Sequence, residues 1–383
     1  MLNLLMWPAT PFVIAAGILL LGLWLLKRTS GPASGVRRCA RTVSGWAMTA
    51  LGSALLVGAT VTAVELAIAH YKYPAPGKLV AVGALHLHVW CEGPTTAPTV
   101  LLVGGGHSQG LWMRPIQIGL RDRWRACLVD RPGLGWSDRG RAPMTMDDEL
   151  GQFHDAIVAA GERPAAAIIG HSAGGQIAMN FASAYPDEVR ALVLLDPSEP
   201  SHSLIDWSRG SPHPIYDRWM PVFGTMFGLA YVDALNPLRG ADSGWMTKVF
   251  GESWEPLVAW ELRPSAILAK RALVDVSEDP LSIVRTPGCL PKQAILLIPQ
   301  LPEPPVPPPF LRATGRRAAN YAALMAFART EALAFSPRSE LVWAPKDSTH
   351  YYLYKEPAFT LGHINRFLDR ELGPAPVAAP PGG

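Results

Sequence analysis

A chain of 383 residues with formal net charge +3 and mean hydropathy +0.15 is long enough for one large domain with appendages, and unusually apolar for a protein wholly in water. So small a charge, with no dense Lys/Arg face interleaved with aromatics, excludes the usual nucleic-acid-binding surface. The cysteines at 39, 91, 127 and 289 have neither C-x-x-C nor His-Cys spacing, so no metal site and no organic cofactor is expected.

The apolar excess lies at the N-terminus. Leu4 to Leu26 carries no charge, and about 20 apolar residues suffice to cross a bilayer. Lys27-Arg28 follow this run rather than precede it, and no small-residue cleavage site closes it, which argues against a removed signal peptide. Val43 to Val64 is a second uncharged run, whose Gly45, Gly52 and Gly58 suit close helix packing. The loop between the runs holds Lys27, Arg28, Arg37, Arg38 and Arg41 without an acid, so the positive-inside rule places it in the cytoplasm. The expectation is a two-span membrane hairpin over residues 1–70, in the cell membrane, with the rest of the chain on the non-cytoplasmic side.

Lys78–Val82 and Ala84–Trp90 alternate around Gly83, a hairpin signal. Thr99–Val103 is a fully apolar strand leading into Gly104-Gly105-Gly106-His107. Arg125–Val129 is another, ending in Asp130-Arg-Pro-Gly-Leu-Gly-Trp-Ser-Asp138. A helix is expected from Thr145 to Gly161, with Asp147, Asp148 and Glu149 suiting its positive N-terminus. Ala165–Ile169 then reads as a buried strand, Gly170-His171-Ser172-Ala173-Gly174 as a tight turn, and Gln176–Ala182 as a helix. That is the context G-x-S-x-G needs to be a nucleophile elbow. Val189–Leu195 is a strand ending in Asp196-Pro197. Apolar strands alternating with helices predict a parallel sheet covered on both faces.

From Ser198 to about Leu290 no clean strand appears, and tryptophans 207, 219, 245, 254 and 260 are scattered among prolines and helix-like runs. A stretch this long reads as an inserted helical lid rather than a loop. Ala294–Ile298 resumes the sheet, and Leu301–Pro309 is a stiff proline-rich exit containing Glu303. A helix is expected at 318–335, a strand at Glu340–Trp343, then Ser348-Thr349-His350 and a last helix at Glu356–Leu372. The expected division is 1–70 hairpin, 71–200 and 291–372 core, 201–290 lid and 373–383 disordered tail.

A serine hydroxyl becomes a useful nucleophile only when a base takes its proton, and the base needs an acid to orient it. The chain offers Ser172, then an acid, then His350, in the order this fold class requires. His86, His88 and His154 precede the nucleophile, His107 lies in the glycine loop, His171 is inside the elbow, His202 and His213 fall in the insert, and His363 sits within the last helix.

With these residues in view, the chain resembles the α/β-hydrolase family over roughly Lys78 to Leu372 apart from the lid. The matching stretches are Leu101–His107, Asp130–Asp138, Gly170–Gly175, Val193–Asp196 and Ser348–His350. The resemblance implies a mostly parallel eight-stranded sheet covered by helices, an inserted lid and, joined to the N-terminal hairpin, a membrane-anchored serine hydrolase cleaving a small-molecule carboxylic ester, lipid-like esters included. It implies an oxyanion hole from the N–H groups of Ala173 and Gly106. Here the loop reads Gly104-Gly105 where the family usually has His-Gly. For the acid, Asp196 at the end of the sixth strand resembles the arrangement in haloalkane dehalogenases. Glu303, after the seventh strand, is the alternative, hemmed in by prolines. Serine at the elbow argues against dehalogenase or epoxide hydrolase chemistry, since those relatives attack with Asp. Amidase, thioesterase and acyltransferase chemistry stay open, as does a catalytically silent membrane receptor or scaffold. The family's sheet makes its second and fourth strands neighbours, so a Cys91–Cys127 disulfide is the pairing that an extracytoplasmic location would allow.

Overall fold

The structure, a computed structural model, describes residues 9–30, 35–106, 108–140, 145–198, 222–231, 238, 244–267, 269–270, 288–300 and 330–373. Most of the expected lid, His107, His202, His213, Glu303 with its proline-rich exit, residues 318–329 and the tail from 374 lie outside the described residues. The described chain forms two compact units. One holds the residues up to Pro74 together with those between 222 and 244 and between 258 and 267, and the other holds the remainder.

In the first unit, α1 (Thr10–Lys27) and α2 (Gly35–Lys72) are both long and apolar enough to cross a membrane. They run antiparallel at close range. A Cβ on Gly22 would lie 2.5 Å from Thr49 N, and one on Gly52 2.5 Å from Leu19 N, so only glycine permits this approach. Outward, Leu20, Leu23, Trp24, Val43, Trp46, Val57 and Val61 are exposed, as lipid-facing side chains would be. One expectation is corrected. Arg37, Arg38 and Arg41 do not lie in a loop but in the first turns of α2, which also continues past Glu65 to Lys72. Hydropathy marks only the apolar stretch, whereas a helix also runs on through good helix formers whose charged heads reach solvent.

The second unit is built on an eight-stranded sheet. Its strands are β1 (Lys78–Val82), β2 (Leu85–Glu92), β3 (Thr99–Val103), β4 (Arg125–Val129), β5 (Ala165–His171), β6 (Ala191–Leu195), β7 (Ala294–Ile298) and β8 (Arg338–Leu341), in the order β1-β2-β4-β3-β5-β6-β7-β8. The first two pairings are antiparallel and the rest parallel. β3, β6 and β7 are buried at every residue, as expected of central parallel strands covered on both faces, whereas β1 and β8 at the edges are partly exposed. Leu101, Ile168, Leu192 and Ile295 carry the core across four neighbouring strands. Cys91 and Cys127 face each other across the β2–β4 pair and form a disulfide.

The covering helices include α3 (Arg114–Leu120), α4 (Met146–Ala159), α5 (Ala173–Ala184), α6 (Gly244–Phe250), α7 (Tyr352–Lys355) and α8 (Pro357–Leu372). Thr145 is the cap of α4 rather than its first residue, trading hydrogen bonds with Asp148 in a capping box. α3 has no expectation behind it, because it is a short stretch opened by a proline. The described end of the expected helix 318–335 is a 3-10 turn over Glu331–Phe335, and β8 begins two residues before the expected strand.

Candidate active site

Ser172 follows the last residue of β5 and precedes the first of α5. Its φ of 53° and ψ of −125° belong to a strained turn that few L-residues adopt. Neighbouring backbone holds it there: Ser172 N–H donates to Leu195 O at 3.1 Å, and its carbonyl accepts from Gly175 N at 2.9 Å and Ser198 N at 2.8 Å. The glycines are steric necessities. A Cβ on Gly170 would lie 2.4 Å from Gly174 O, and one on Gly174 2.3 Å from Val103 O. Ala173 opens α5, so its N–H has no partner within the helix. The loop after β3 passes beside the serine, since a Cβ on Gly105 would lie 2.6 Å from Ser172 Cβ, and Gly106 follows with φ 57°.

Asp196 directly follows β6 and has φ 40°, a second strained non-glycine residue. Its N–H donates to Ile298 O at 2.8 Å, and its Oδ1 accepts from Gln300 N at 3.0 Å, so the end of β7 fixes the carboxylate. The other oxygen, Oδ2, lies 2.6 Å from His350 Nδ1. A proton on Nδ1 facing the carboxylate leaves Nε2 as the basic nitrogen. Two anchors hold the loop of His350. Tyr352 is fully buried and its hydroxyl donates to Ile298 O at 2.6 Å, and His171 Nε2 lies 3.1 Å from His350 O. The rings of His171 and His350 are 4.5 Å apart, which brings the His350 ring alongside the elbow. Burial, and then the neighbouring His350, push the pKa of His171 down to about 3. It is therefore neutral, with Nε2–H donating to the His350 carbonyl. Burial likewise raises the phenol of Tyr352 well above its usual value, so it stays a donor.

The structure thus brings Asp196 and His350 together beside Ser172, with Ala173 and the Gly105–Gly106 loop adjacent. Asp347 has φ 64° and is not among the hydrogen-bond partners of His350. Three supporting residues were not singled out from sequence: Gln300, Tyr352 and His171. Only His171 carried a signal, its place inside the elbow. Aromatics flank the His350 loop, with Phe250 of α6 5.3 Å from Tyr354 and 5.5 Å from Trp112, and Trp245 6.0 Å from Tyr351. Of the scattered tryptophans, 254 and 260 are buried core, and 207 and 219 lie outside the described residues.

The Asp130–Asp138 motif is scaffolding. Asp130 is buried with its Oδ2 2.8 Å from His88 Nδ1, and its Oδ1 accepts from Gly110 N at 2.7 Å. Burial opposes its charge, yet the His88 contact and the N–H groups of Gly110 and Trp136 hold its carboxyl below the usual carboxylate range. Arg131 pairs with Glu149 in the interior, joining the motif to α4. Among the described residues, Cys91, Cys127 and Glu162 lie near enough to share a metal ion, but the two sulfurs are bonded to each other and Glu162 pairs with Arg125.

Eight strands in this order, with a strained serine between β5 and the next helix, decide the architecture, and a family model described as alpha/beta hydrolase fold matches residues 98–220. The chain has the α/β-hydrolase fold. A probable hydrolytic enzyme from Pseudomonas aeruginosa PAO1 shares that fold at TM-score 0.58 and 20% identity, over 77% of this chain and 95% of that one. In sequence, the chain is 34% identical over 117 residues to lipase LipV of Mycobacterium tuberculosis, covering 30% of this chain and 42% of LipV. It is 30% identical over 117 residues to a 2-(acetamidomethylene)succinate hydrolase of Mesorhizobium japonicum, covering 30% of this chain and 41% of that enzyme. The chain therefore spans about two fifths of the length of these relatives. Within the α/β-hydrolase fold, the ends of β5 and β6 and the loop after β8 are where Ser172, Asp196 and His350 stand.

Proposed function

We propose that the protein is a membrane-anchored serine hydrolase that cleaves a carboxylic ester through an acyl-enzyme. The observation that carries this is the 2.6 Å contact between His350 Nδ1 and an Asp196 carboxylate whose other oxygen is already held by Gln300 N–H. So fixed, His350 keeps Nε2 available as a base. Ser172 Oγ attacks the ester carbonyl carbon as its proton passes to Nε2. The N–H groups of Ala173 and Gly106 receive the charge that develops on the carbonyl oxygen, each contributing roughly 3–4 kcal/mol in the transition state. The C–O bond breaks, the alcohol leaves with the proton from His350, and a water activated by the same nitrogen releases the acid. The names of the relatives support hydrolysis, and the aromatic residues around Tyr354 suit an apolar acyl group.

In this reading α1 and α2 span the bilayer, with Lys27, Arg28, Arg37, Arg38 and Arg41 on the cytoplasmic side and the sheet outside. The Cys91–Cys127 disulfide supports that orientation, because such bonds persist in oxidising compartments. A fluorophosphonate probe tests the chemistry: rapid labelling at Ser172, absent in Ser172→Ala, is expected, and a wild-type protein that resists the probe refutes it. A chain-length series of p-nitrophenyl esters then reads the acyl preference. A reporter fused after residue 383 that matures only in an oxidising compartment should be active, and activity of a cytoplasm-only reporter there overturns the orientation.

A further inference from the structure

The insert between β6 and β7 departs just after Asp196, and two of its described pieces belong to the unit built on α1 and α2. Residues 222–231 read Val-Phe-Gly-Thr-Met-Phe-Gly-Leu-Ala-Tyr, without a charged side chain. They are seated on α2 at Gly58 and Thr62. A Cβ on Gly58 would lie 2.1 Å from Phe227 O, and one on Gly228 would lie 2.9 Å from Gly58 O, so two backbones meet where only glycines fit. Thr62 Oγ1 donates to Thr225 O at 2.9 Å, in buried surroundings. Val222 and Met226 are fully buried, while Phe223 and Leu229 are 40% and 46% exposed.

The depth of this seat follows from the hairpin. Gly52 crosses Leu19 and Gly45 crosses Leu26, which puts the middle of the paired apolar stretch near Gly52. At about 1.5 Å per residue, Gly58 and Thr62 stand roughly 9 and 15 Å from that middle. A hydrocarbon core about 30 Å thick contains the first and ends near the second. Further along α2 the partner changes character. Trp260 meets His70 edge-on with ring centroids 4.6 Å apart, and the Arg263 guanidinium lies over Trp260 at 5.3 Å. The insert is thus apolar where α2 is apolar, and where α2 turns polar at His70 it packs Trp260 and Arg263, both buried within the unit. What points to a bilayer is that Phe223 and Leu229 stay exposed at the depth of the apolar stretch of α2, where an aqueous surface would favour polar side chains.

We infer that residues 222–231 lie within the outer hydrocarbon layer of the bilayer against α2, with Phe223 and Leu229 touching acyl chains, and that the ester hydrolysed is a bilayer lipid. The substrate class rests on the serine hydrolase reading, whereas the depth does not.

The test uses the full-length protein carrying Cys39→Ser and Cys289→Ser, which removes the free thiols. A nitrobenzoxadiazole label is placed at Phe223→Cys or Leu229→Cys, and the protein is reconstituted in phosphatidylcholine vesicles containing doxyl-labelled phosphatidylcholine. Quenching comparable to that of a label at Val57→Cys on α2 is expected, well above that at Val158→Cys on α4. Quenching no greater than at Val158→Cys overturns the inference. So does a blue-shifted label that lipid does not quench, since a protein partner would then cover the segment. Gly58→Leu should lower the quenching, and an unchanged signal refutes the seat on α2. For the substrate, Phe223→Glu with Leu229→Glu should reduce the ratio of turnover on p-nitrophenyl palmitate in vesicles to that on p-nitrophenyl acetate in water by about tenfold or more. An unchanged ratio refutes the lipid ester. Quenching is independent of catalysis, so a protein with the expected depth but no serine chemistry would fail the functional reading alone.

Discussion

Glycine brings backbones together in both units of this protein, with different results. At the elbow, Gly170 and Gly174 let β5, α5 and the end of β3 crowd together, and the strain falls on a neighbour, Ser172, at φ 53°. In the hairpin, Gly22 and Gly52 allow an equally close approach, but no described residue of either helix has a positive φ. Close packing alone therefore does not strain a chain. Strain arises where a sharp turn must also project a side chain, and the hydrogen bonds donated by Gly175 and Ser198 N–H and accepted by Leu195 O hold the serine there.

The largest effect should come from the strained residue itself. Ser172→Ala is expected to cut kcat by about 10⁵-fold or more while leaving the melting temperature within a few degrees of wild type. Comparable esterase activity in that variant would break the contrast, because the strain would then serve no chemistry. Asp196→Asn should follow, with a fall of about 10⁴-fold as the histidine takes the wrong tautomer, while Glu303→Gln leaves kcat near wild type. Steady-state kinetics with the two effects reversed would move the acid to the segment after β7.

Smaller effects belong to stability. Reducing the Cys91–Cys127 bond should cost about 2–4 kcal/mol in denaturant unfolding of the detergent-solubilised protein, and an unchanged midpoint would show that the sheet edge holds without it. The smallest is a pH effect at His171. Its folded pKa of about 3 lies below its unfolded value near 6.5, so the unfolded chain binds the extra proton first. The stability it confers is present above about pH 6.5 and is lost as pH falls toward 3. His171→Gln should flatten the melting-temperature profile over that window, and an equally steep profile in the variant would assign the acid loss to other groups.

Much of this was legible in the sequence because the chemistry of single residues forced it. Gly170, Ser172 and Gly174 can sit between an apolar strand and a helix in few ways, and Asp196 is conspicuous as a charge closing an apolar run. The residues that hold the site were less visible. Gln300 contributes only its backbone N–H, which any non-proline residue could supply. Tyr352 matters because the register of β7 brings Ile298 O to its hydroxyl, a long-range fact with no local trace. His171 stands out in the sequence only by its place inside the elbow, and its burial and its contact with His350 O are what give it a role. The ends of α2 were misjudged for a different reason: hydropathy measures the medium around a helix rather than its length.

The disulfide also distinguishes right from wrong assembly. Side chains on a strand alternate between faces, so a one-residue slip of β2 against β4 would turn Cys91 and Cys127 to opposite sides of the sheet. The bond therefore closes only when the antiparallel edge is in register. In an oxidising compartment a misaligned chain would thus carry Cys91 and Cys127 as unpaired thiols in addition to Cys39 and Cys289.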